Sequence, residues 1–344
     1  MYKSKFKYAL LSFKFLKISL FRNLFNSIIS LLLILIIGSI ITTSLKWIIV
    51  NANWEVVTSN LPLFTFGSYP PSQRWRPTIW IIILFLLCGA TLFGSKRKWL
   101  QNNLIYGWIT TLPIGFYLLY GGFGLSPVMS RNWGGLTLTI FLTVFSLIFS
   151  LPLGIVLALC RQSSFPLIKK ISALYIDLMR SIPLIAVLFF GQLLIPLFLP
   201  LGLEIDRVWR AIFAFTLFVS AYIAEDIRGG LQAIPITQIE AANSLGLNSY
   251  QIKKLILIPQ SIRTALPALT NQSIGLFQNT SLMAILGLIE LLGVGRSILA
   301  NPEFIGQYIE VYVWLASVYW FFCTFIAIIG RHIEQKLKIK RANA

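Results

Sequence analysis

Charged side chains are scarce in this sequence. Asp, Glu, Lys and Arg make up 12% of its 344 residues, while 57% of the residues are hydrophobic. So few charges cannot cover a water-soluble fold of ordinary size, whereas long apolar runs are typical of a chain that crosses a membrane several times. We therefore predict an all-α, polytopic membrane protein.

Histidine and cysteine are also nearly missing. The single histidine, His332, lies near the basic end of the chain, and Cys88, Cys160 and Cys323 all lie inside apolar runs. This distribution indicates neither a disulfide framework nor a zinc site. It also leaves little for His-based catalysis or metal binding, so no catalytic residue and no metal ligand is predicted.

Acidic residues number 11 against 29 lysines and arginines, which gives a net charge of +18. A nucleic-acid partner would need these cations on one accessible face, but they are scattered between hydrophobic runs. The positive-inside rule explains the scatter if both ends of the chain are cytoplasmic. All but seven of the cations then fall inside, and the exceptions are Lys46, Arg74, Arg76, Arg131, Arg207, Arg210 and Arg296.

Eight apolar stretches are near the length that a bilayer demands. They cover residues 27–49, 78–94, 104–120, 136–160, 182–200, 208–224, 268–290 and 309–329. Before the first span, residues 1–26 carry basic and apolar residues in an imperfect helical pattern, which indicates a helix on the cytoplasmic membrane surface. The segment 51–77 shows neither strand nor helix periodicity, and we expect it to be ordered but irregular.

Two patterns near the spans have a structural and a functional interpretation. Residues 89–96 are superficially similar to a phosphate loop. However, Ser95 precedes Lys96, the reverse of the Gly-Lys-Ser/Thr order of that motif, and no strand comes before the segment. Small residues in the fourth span recur every three or four positions and predict close helix packing, either within this chain or with another subunit. They are Thr139, Thr143, Ser146, Ser150, Gly154 and Ala158.

A pair of short helices is predicted over residues 235–259. Thr237 lies three residues before Glu240 and would form a capping box with it. Gly246 would end the first helix in a left-handed conformation, and Asn248 or Ser249 would cap a second helix that stops at Pro259. Glu240 has two interpretations here, since stabilising its own helix would explain it without any partner.

The spacing of this segment resembles the EAA loop of bacterial ABC-importer permeases. Glu240, Ala241, Ala242 and Gly246 are followed at the family's intervals by Ile256 and Pro259, with Ile258 where the family more often has Leu. The resemblance implies a cytoplasmic loop, residues 225–266, that docks on the ATPase subunit. ATP and Mg would then be bound by that partner, and the permease itself would hold no cofactor.

The next-to-last predicted span is unusually polar. Asn271, Gly275, Gln278 and Asn279 share one helix face, and Thr280 and Ser281 follow. Polar groups at membrane depth tend to face a cavity or one another, and the small residues would permit a helix break. Hydrogen-bonded helix packing is the alternative interpretation.

The stretch 278–282 resembles the Lys-Asp-Thr-Ser-Leu of polar amino-acid importer permeases, with amides in place of both charges. A substrate pathway at these residues would then contact amino acids through dipoles and hydroxyls. The stretch 177–184 resembles the place where the family has Arg-Gly-Thr-Pro before a span, with Ser181 and Ile182 in place of the Gly and Thr. Asp177 and Arg180 are expected to pair with each other at the cytoplasmic edge.

The resemblance covers residues 136–330 and implies a five-helix type I permease domain. It leaves residues 27–135 as an extension with three extra helices and residues 331–344 as a basic cytoplasmic tail. It implies an amino-acid importer in the bacterial inner membrane, with a second homologous permease subunit as a heterodimer, an ATPase dimer and an external binding protein. An ion-coupled secondary transporter and an intramembrane enzyme are the rival interpretations, and the enzyme would have to use Glu290.

Overall fold

The computed structural model describes residues 20–94, 98–200 and 202–342 of the chain. Two compact units divide after Glu55. In the first unit, helix α1 spans Leu24–Lys46 and continues through a π turn at Trp47–Asn51. Its apolar side chains are exposed almost all round, as expected of a helix surrounded by lipid. The surface helix predicted for residues 1–26 falls largely on residues 1–19, which lie outside the described residues.

The segment 51–77 is ordered, but the prediction that it is irregular is wrong. It contains helix α2, Glu55–Thr58, helix α3, Leu61–Phe66, and a 3-10 turn at Pro71–Gln73. These helices are too short to show a hydrophobic period in the sequence. Phe64 and Tyr69 are nevertheless buried, and the Tyr69 hydroxyl donates to the carbonyl of Leu119 at 2.8 Å.

Helices account for most of the remaining chain. In order they are α4 Trp75–Phe93, α5 Lys98–Tyr120, α6 Gly135–Arg161, α7 Pro166–Ser181, α8 Leu184–Phe189, α9 Arg207–Gln232, α10 Ile236–Ser244, α11 Ser249–Ile252, α12 Ile258–Asn279, α13 Leu291–Leu299 and α14 Tyr308–Ala342.

Five of the described helices are long and apolar enough to cross a membrane, or six if α7 and the segment after it form one bent span. The predicted count of eight therefore stays a prediction. The predicted span 182–200 is broken, because α8 passes into a π turn at Phe190–Leu194 and a 3-10 turn at Ile195–Phe198. Pro183 precedes α8 and Pro196 lies within the 3-10 turn, and proline removes a helix donor at each place.

The core lies between α6 and α9. The whole small-residue series of α6 is buried, and a Cβ on Gly154 would lie 2.5 Å from the Ile223 side chain of α9. Packing within this chain is therefore confirmed for that series. On the other side of α6, the Phe141 ring lies 5.5 Å from Trp80 of α4, so the second predicted span also packs on this core.

Candidate functional site

A helical hairpin, residues 235–258, projects beyond the end of α9. Gly246 has φ +77°, and its amide donates to Asn243 while the Leu247 amide donates to Ala242. These two bonds form a Schellman motif, which satisfies the last carbonyls of α10. Asn248 then opens the next helix through a capping box with Gln251, each amide donating to the other's side chain at 2.9 Å. The predicted helix-ending conformation of Gly246 and the predicted capping by Asn248 are confirmed.

The predicted capping box of Thr237 and Glu240 is wrong. Helix α10 begins at Ile236 directly after Pro235, so Thr237 already has a helical backbone and cannot be the N-cap. No side chain caps this end. Pro235 instead has the φ of −59° that proline imposes, and it turns the chain sharply from α9 into α10.

The predicted stop at Pro259 is also wrong. A π turn at Lys253–Leu257 joins α11 directly to α12, and the Ile258 amide donates to the carbonyl of Lys253. The wider π turn accommodates proline, which has no N–H and whose ring would crowd the preceding turn of an α-helix. The helix therefore runs without interruption from Ser249 to Asn279.

The hairpin presents both a polar and an apolar surface. Glu240 and Ala241 of α10 are exposed, Ala242 of the same helix is buried, and Ile256 and Pro259 are half-buried. Four large apolar side chains of the hairpin are each at least 61% exposed. Leaving so much apolar surface in water is unfavourable. These four side chains are Ile236, Leu245, Tyr250 and Leu255.

The hairpin is held to the helix bundle at two points. The Gln260 side chain of α12 donates to Gln238 of α10 at 2.8 Å. A Cβ on Gly230 of α9 would lie 2.4 Å from the carbonyl of Ser261, so α9 and α12 approach each other there as closely as a glycine allows. These contacts fix the hairpin relative to α12.

Helix α12 breaks where the polar motif lies, as the small residues suggested. At Thr280 the α-helix becomes a 3-10 helix, Thr280–Leu286, which ends at Gly287 with φ +82°. Thr280 is fully buried and donates to the carbonyl of Phe277 at 2.7 Å. Asn279 and Ser281 are half-buried beside the break.

One side of α12 is left uncovered by the described residues. We call this side the open face, and it comprises Asn271, Gly275 and Gln278. The side chains of Asn271 and Gln278 are exposed. A Cβ on Gly275 would meet nothing within 4 Å. Leu276 and Phe277 are buried on the other side. Gln272, between the two sides, donates to Asp226 of α9 at 3.1 Å.

The prediction that Asp177 and Arg180 pair with each other is wrong, because each pairs with a different residue. Asp177 pairs with Arg161 at 3.0 Å, and Arg180 approaches Glu225 at 3.8 Å. Glu225 also accepts from Arg228 and lies 3.4 Å from Arg161. The charges of α6, α7 and α9 thus form one cluster near the hairpin, because Glu225 is the acceptor that three arginines reach.

Glu290 is a structural group in this fold. It is completely buried, and its carboxylate accepts from the amides of Leu292 and Gly293 at 2.9 Å each. The Tyr319 hydroxyl of α14 donates to it at 3.1 Å. It caps α13, although Glu is not among the side chains that usually occupy an N-cap. The Tyr319 contact had no local sequence signal.

Metal-binding groups are not gathered anywhere in the described residues, where no set of three or more His, Cys, Asp or Glu is close enough to hold an ion. The chemistry available at the helix break is that of amides and hydroxyls. Such groups offer donors and acceptors in fixed directions without a net charge.

The comparison with known proteins extends over most of the chain. Residues 150–339 match the family described as "Binding-protein-dependent transport system inner membrane component". The inner membrane amino-acid ABC transporter permease protein YhdY of Escherichia coli K12 is 35% identical, and the match covers 94% of this chain and 92% of that protein.

A second relative comes from Rhodobacter capsulatus. Its glutamate/glutamine/aspartate/asparagine transport system permease protein BztC is 31% identical over 84% of this chain and 79% of its own length. Among solved structures, an amino acid ABC transporter crystallised with histidines shares 29% identity with a TM-score of 0.53, covering 59% of this chain and 92% of that one.

Proposed function

The chain belongs to the family of binding-protein-dependent transport system inner membrane components, and from that membership we propose that it forms the membrane pathway of an ATP-driven amino-acid importer. It is a permease subunit and not an enzyme. The proposed substrate class rests on the family match together with the neutral polar groups at the break of α12. The buried Glu290 argues against the rival enzyme, because its oxygens already accept three hydrogen bonds.

The observation that carries the proposal is the uninterrupted helix from Ser249 to Asn279. At one end it belongs to the hairpin, and at the other it meets the break at Thr280. A helix of this length spans roughly 45 Å at 1.5 Å per residue. A displacement of the hairpin would therefore be passed along a stiff element to the groups that we assign to the substrate pathway.

We assign ATPase docking to the hairpin. The exposed apolar side chains of Ile236, Leu245 and Tyr250 suit a groove on a partner protein, since large apolar surface in a defined patch favours association. Glu240, Ala241 and Gly246 lie on the same hairpin, and Ile256 and Pro259 hold its base. The partner would be an ATPase dimer, which would bind the ATP and Mg.

The orientation follows from the positive-inside rule. The hairpin carries Lys253 and Lys254, and the end of α14 carries further basic residues, so both would face the cytoplasm. Both chain termini are then cytoplasmic, and the opposite end of the bundle receives a substrate-binding protein outside the membrane.

The open face of α12 is where a second permease subunit would complete the pathway. Exposed amides at membrane depth are costly in lipid, so Asn271 and Gln278 need a polar partner or a water-filled cavity. A homologous second permease, in a heterodimer, would supply both. The route would then be lined by Gln278, Asn279, Thr280 and Ser281. Asn271 and Gly275 would lie on the same helix, nearer to the hairpin.

Transport by the complete importer in liposomes tests this proposal. Uptake of glutamine, leucine and arginine should require ATP inside the vesicles and persist in the presence of an ionophore. The opposite pattern would indicate an ion-coupled secondary transporter.

The pathway itself is tested by Asn279→Ala, with the exposed amide variant Gln335→Ala as matched control. Asn279→Ala should slow every substrate about tenfold or more, because a dehydrated site loses a hydrogen-bonding partner. Asn279→Asp should shift the preference toward cationic amino acids. If both Asn279 variants transport at wild-type rates, Asn279 does not line the pathway and serves helix packing instead.

A further inference from the structure

A polar cavity of about 820 Å³ lies at the start of α9. It is bounded by the turn at Ser130–Asn132, the segment that leads into α9, and residues 287–289. Three arginines line it, Arg131, Arg207 and Arg210, together with the carboxylates of Glu204 and Asp206. The proposed orientation places this cavity on the external side, where few cations of the chain are expected.

The carboxylate of Asp206 is engaged within the fold. It caps α9 by accepting from the Val208 amide at 2.8 Å, and it also accepts from the hydroxyl of Ser130. Asp206 therefore holds the Ser130–Asn132 turn against α9 and places Arg131 at the rim of the cavity. Because both of its oxygens already accept a hydrogen bond, Asp206 has fewer lone pairs left to accept from the arginines.

Backbone contacts hold Arg210 in position, and Glu204 and Asp206 attract it from beyond ion-pair distance. Arg210 donates to the carbonyl of Gln192 at 2.6 Å, while the Gln192 side chain donates to the carbonyl of Arg207 at 2.8 Å. Arg131 and Arg207 are exposed. No carboxylate of the described residues forms an ion pair within 4 Å of the guanidinium groups of Arg131, Arg207 or Arg210.

The cavity adjoins the proposed pathway. A guanidinium nitrogen of Arg207 lies 3.9 Å from the position that a Cβ on Gly287 would occupy, and Gly287 ends the 3-10 helix that begins at Thr280. At about 2 Å per residue, that helix spans roughly 14 Å. A molecule leaving the cavity would therefore reach the break of α12 along one short element.

We propose that this cavity is an external carboxylate site, which admits amino acids by their carboxylate groups and favours dicarboxylic over cationic ones. Planar guanidinium groups bind carboxylates through paired hydrogen bonds, and three of them here outnumber two carboxylates. Glutamate and aspartate bring two carboxylates against one ammonium, whereas arginine and lysine bring the reverse. The neutral groups at the break cannot discriminate by charge, so within this subunit discrimination by charge falls to the cavity. The inference rests on the proposed importer function.

The test is equilibrium binding of radiolabelled L-glutamate, L-glutamine and L-arginine to the complete membrane complex in nanodiscs, without the external binding protein. The wild type should bind glutamate more tightly than arginine. Arg207→Gln should weaken glutamate binding about tenfold and glutamine binding much less, because one charged donor pair is lost. Arg207→Lys, which keeps the charge, should lie between the two.

Arg296→Gln is the matched control, since Arg296 is also exposed and on the predicted external side but does not line the cavity. It should bind all three probes like the wild type. Equal effects of Arg207→Gln and Arg296→Gln, a wild-type preference for arginine, or no wild-type binding of glutamate would each overturn the site. ATP-driven uptake by the same wild-type complex is measured separately. Its failure would refute the importer function without deciding the binding result.

Discussion

The hydroxyl of Tyr319 donates to the Glu290 carboxylate at 3.1 Å and so joins α14 to the first turn of α13. A completely buried carboxylate is costly unless donors surround it, and two backbone amides supply the others. Glu290, the acid that a rival intramembrane enzyme would have to use, therefore links two helices of the fold. Thr139 adds to the same junction by accepting from the Leu291 amide at 3.2 Å.

Tyr319→Phe should lower the free energy of unfolding by about 1–3 kcal/mol, because it leaves a buried carboxyl group short of one donor. Tyr312→Phe is the control, because Tyr312 lies on the same helix and is 46% exposed. The midpoint of thermal unfolding in one detergent measures both. Equal midpoints for the two variants would mean that the Tyr319 hydroxyl does not stabilise Glu290.

Gly246→Val should uncouple ATP hydrolysis from transport while the membrane helices stay folded. There is open space around Gly246, so the penalty comes from its φ of +77°, which costs a side-chain-bearing residue about 1–2 kcal/mol. Gly246→Asn is the control, since asparagine adopts this conformation readily. ATPase stimulation by the loaded binding protein should fall in the Val variant and survive in the Asn variant; unchanged stimulation in the Val variant would refute the coupling role.

Glu240→Gln and Glu240→Ala should unfold within about 0.5 kcal/mol of each other, because the Glu240 side chain caps no helix end and is exposed. Any loss of transport then reports the contact with the ATPase. Similar losses in both variants would show that the charge matters, and a loss confined to Ala would show that polar contact suffices. A large stability difference between the two would contradict the structure of α10.

Gly154→Leu should destabilise the membrane domain by about 1–3 kcal/mol, because even a Cβ at this position would lie 2.5 Å from Ile223. Gly89→Leu is the matched control on α4, where a Cβ meets nothing within 4 Å. Thermal unfolding in detergent and the yield of folded protein are the measurements. If Gly89→Leu is as damaging as Gly154→Leu, close packing of α6 on α9 is not the cause.

Part of the local chemistry was predictable from the sequence, although the capping box of Thr237 and Glu240 was not formed. The conformation of Gly246 and the capping by Asn248 each depend on a few neighbouring residues, and the small residues of α6 repeat at the helical period. The small residues within 271–281 likewise permitted a break in the α-helix, which occurs at Thr280. Each of these signals is complete within one segment.

Contacts between distant segments were not predictable. Asp177 pairs with Arg161, which is 16 residues away, and not with Arg180 as the helical spacing suggested. Glu225, the centre of that cluster, comes from α9 and has no local signature. At Pro259, the local rule for proline gave the wrong result because a π turn removed the conflict that normally ends a helix.

That π turn also sets the rotational phase between the hairpin and α12. Each residue of an α-helix advances the chain by about 100° around the axis. Deleting one residue from Lys253–Leu257 would restore the ordinary α-helical ladder and rotate every later side chain by about that angle relative to the hairpin. The open face and the break at Thr280 would then point to another side of the bundle. The number of residues in this turn is therefore fixed by geometry, whereas the identities of its exposed members, Lys253, Lys254 and Leu255, are not.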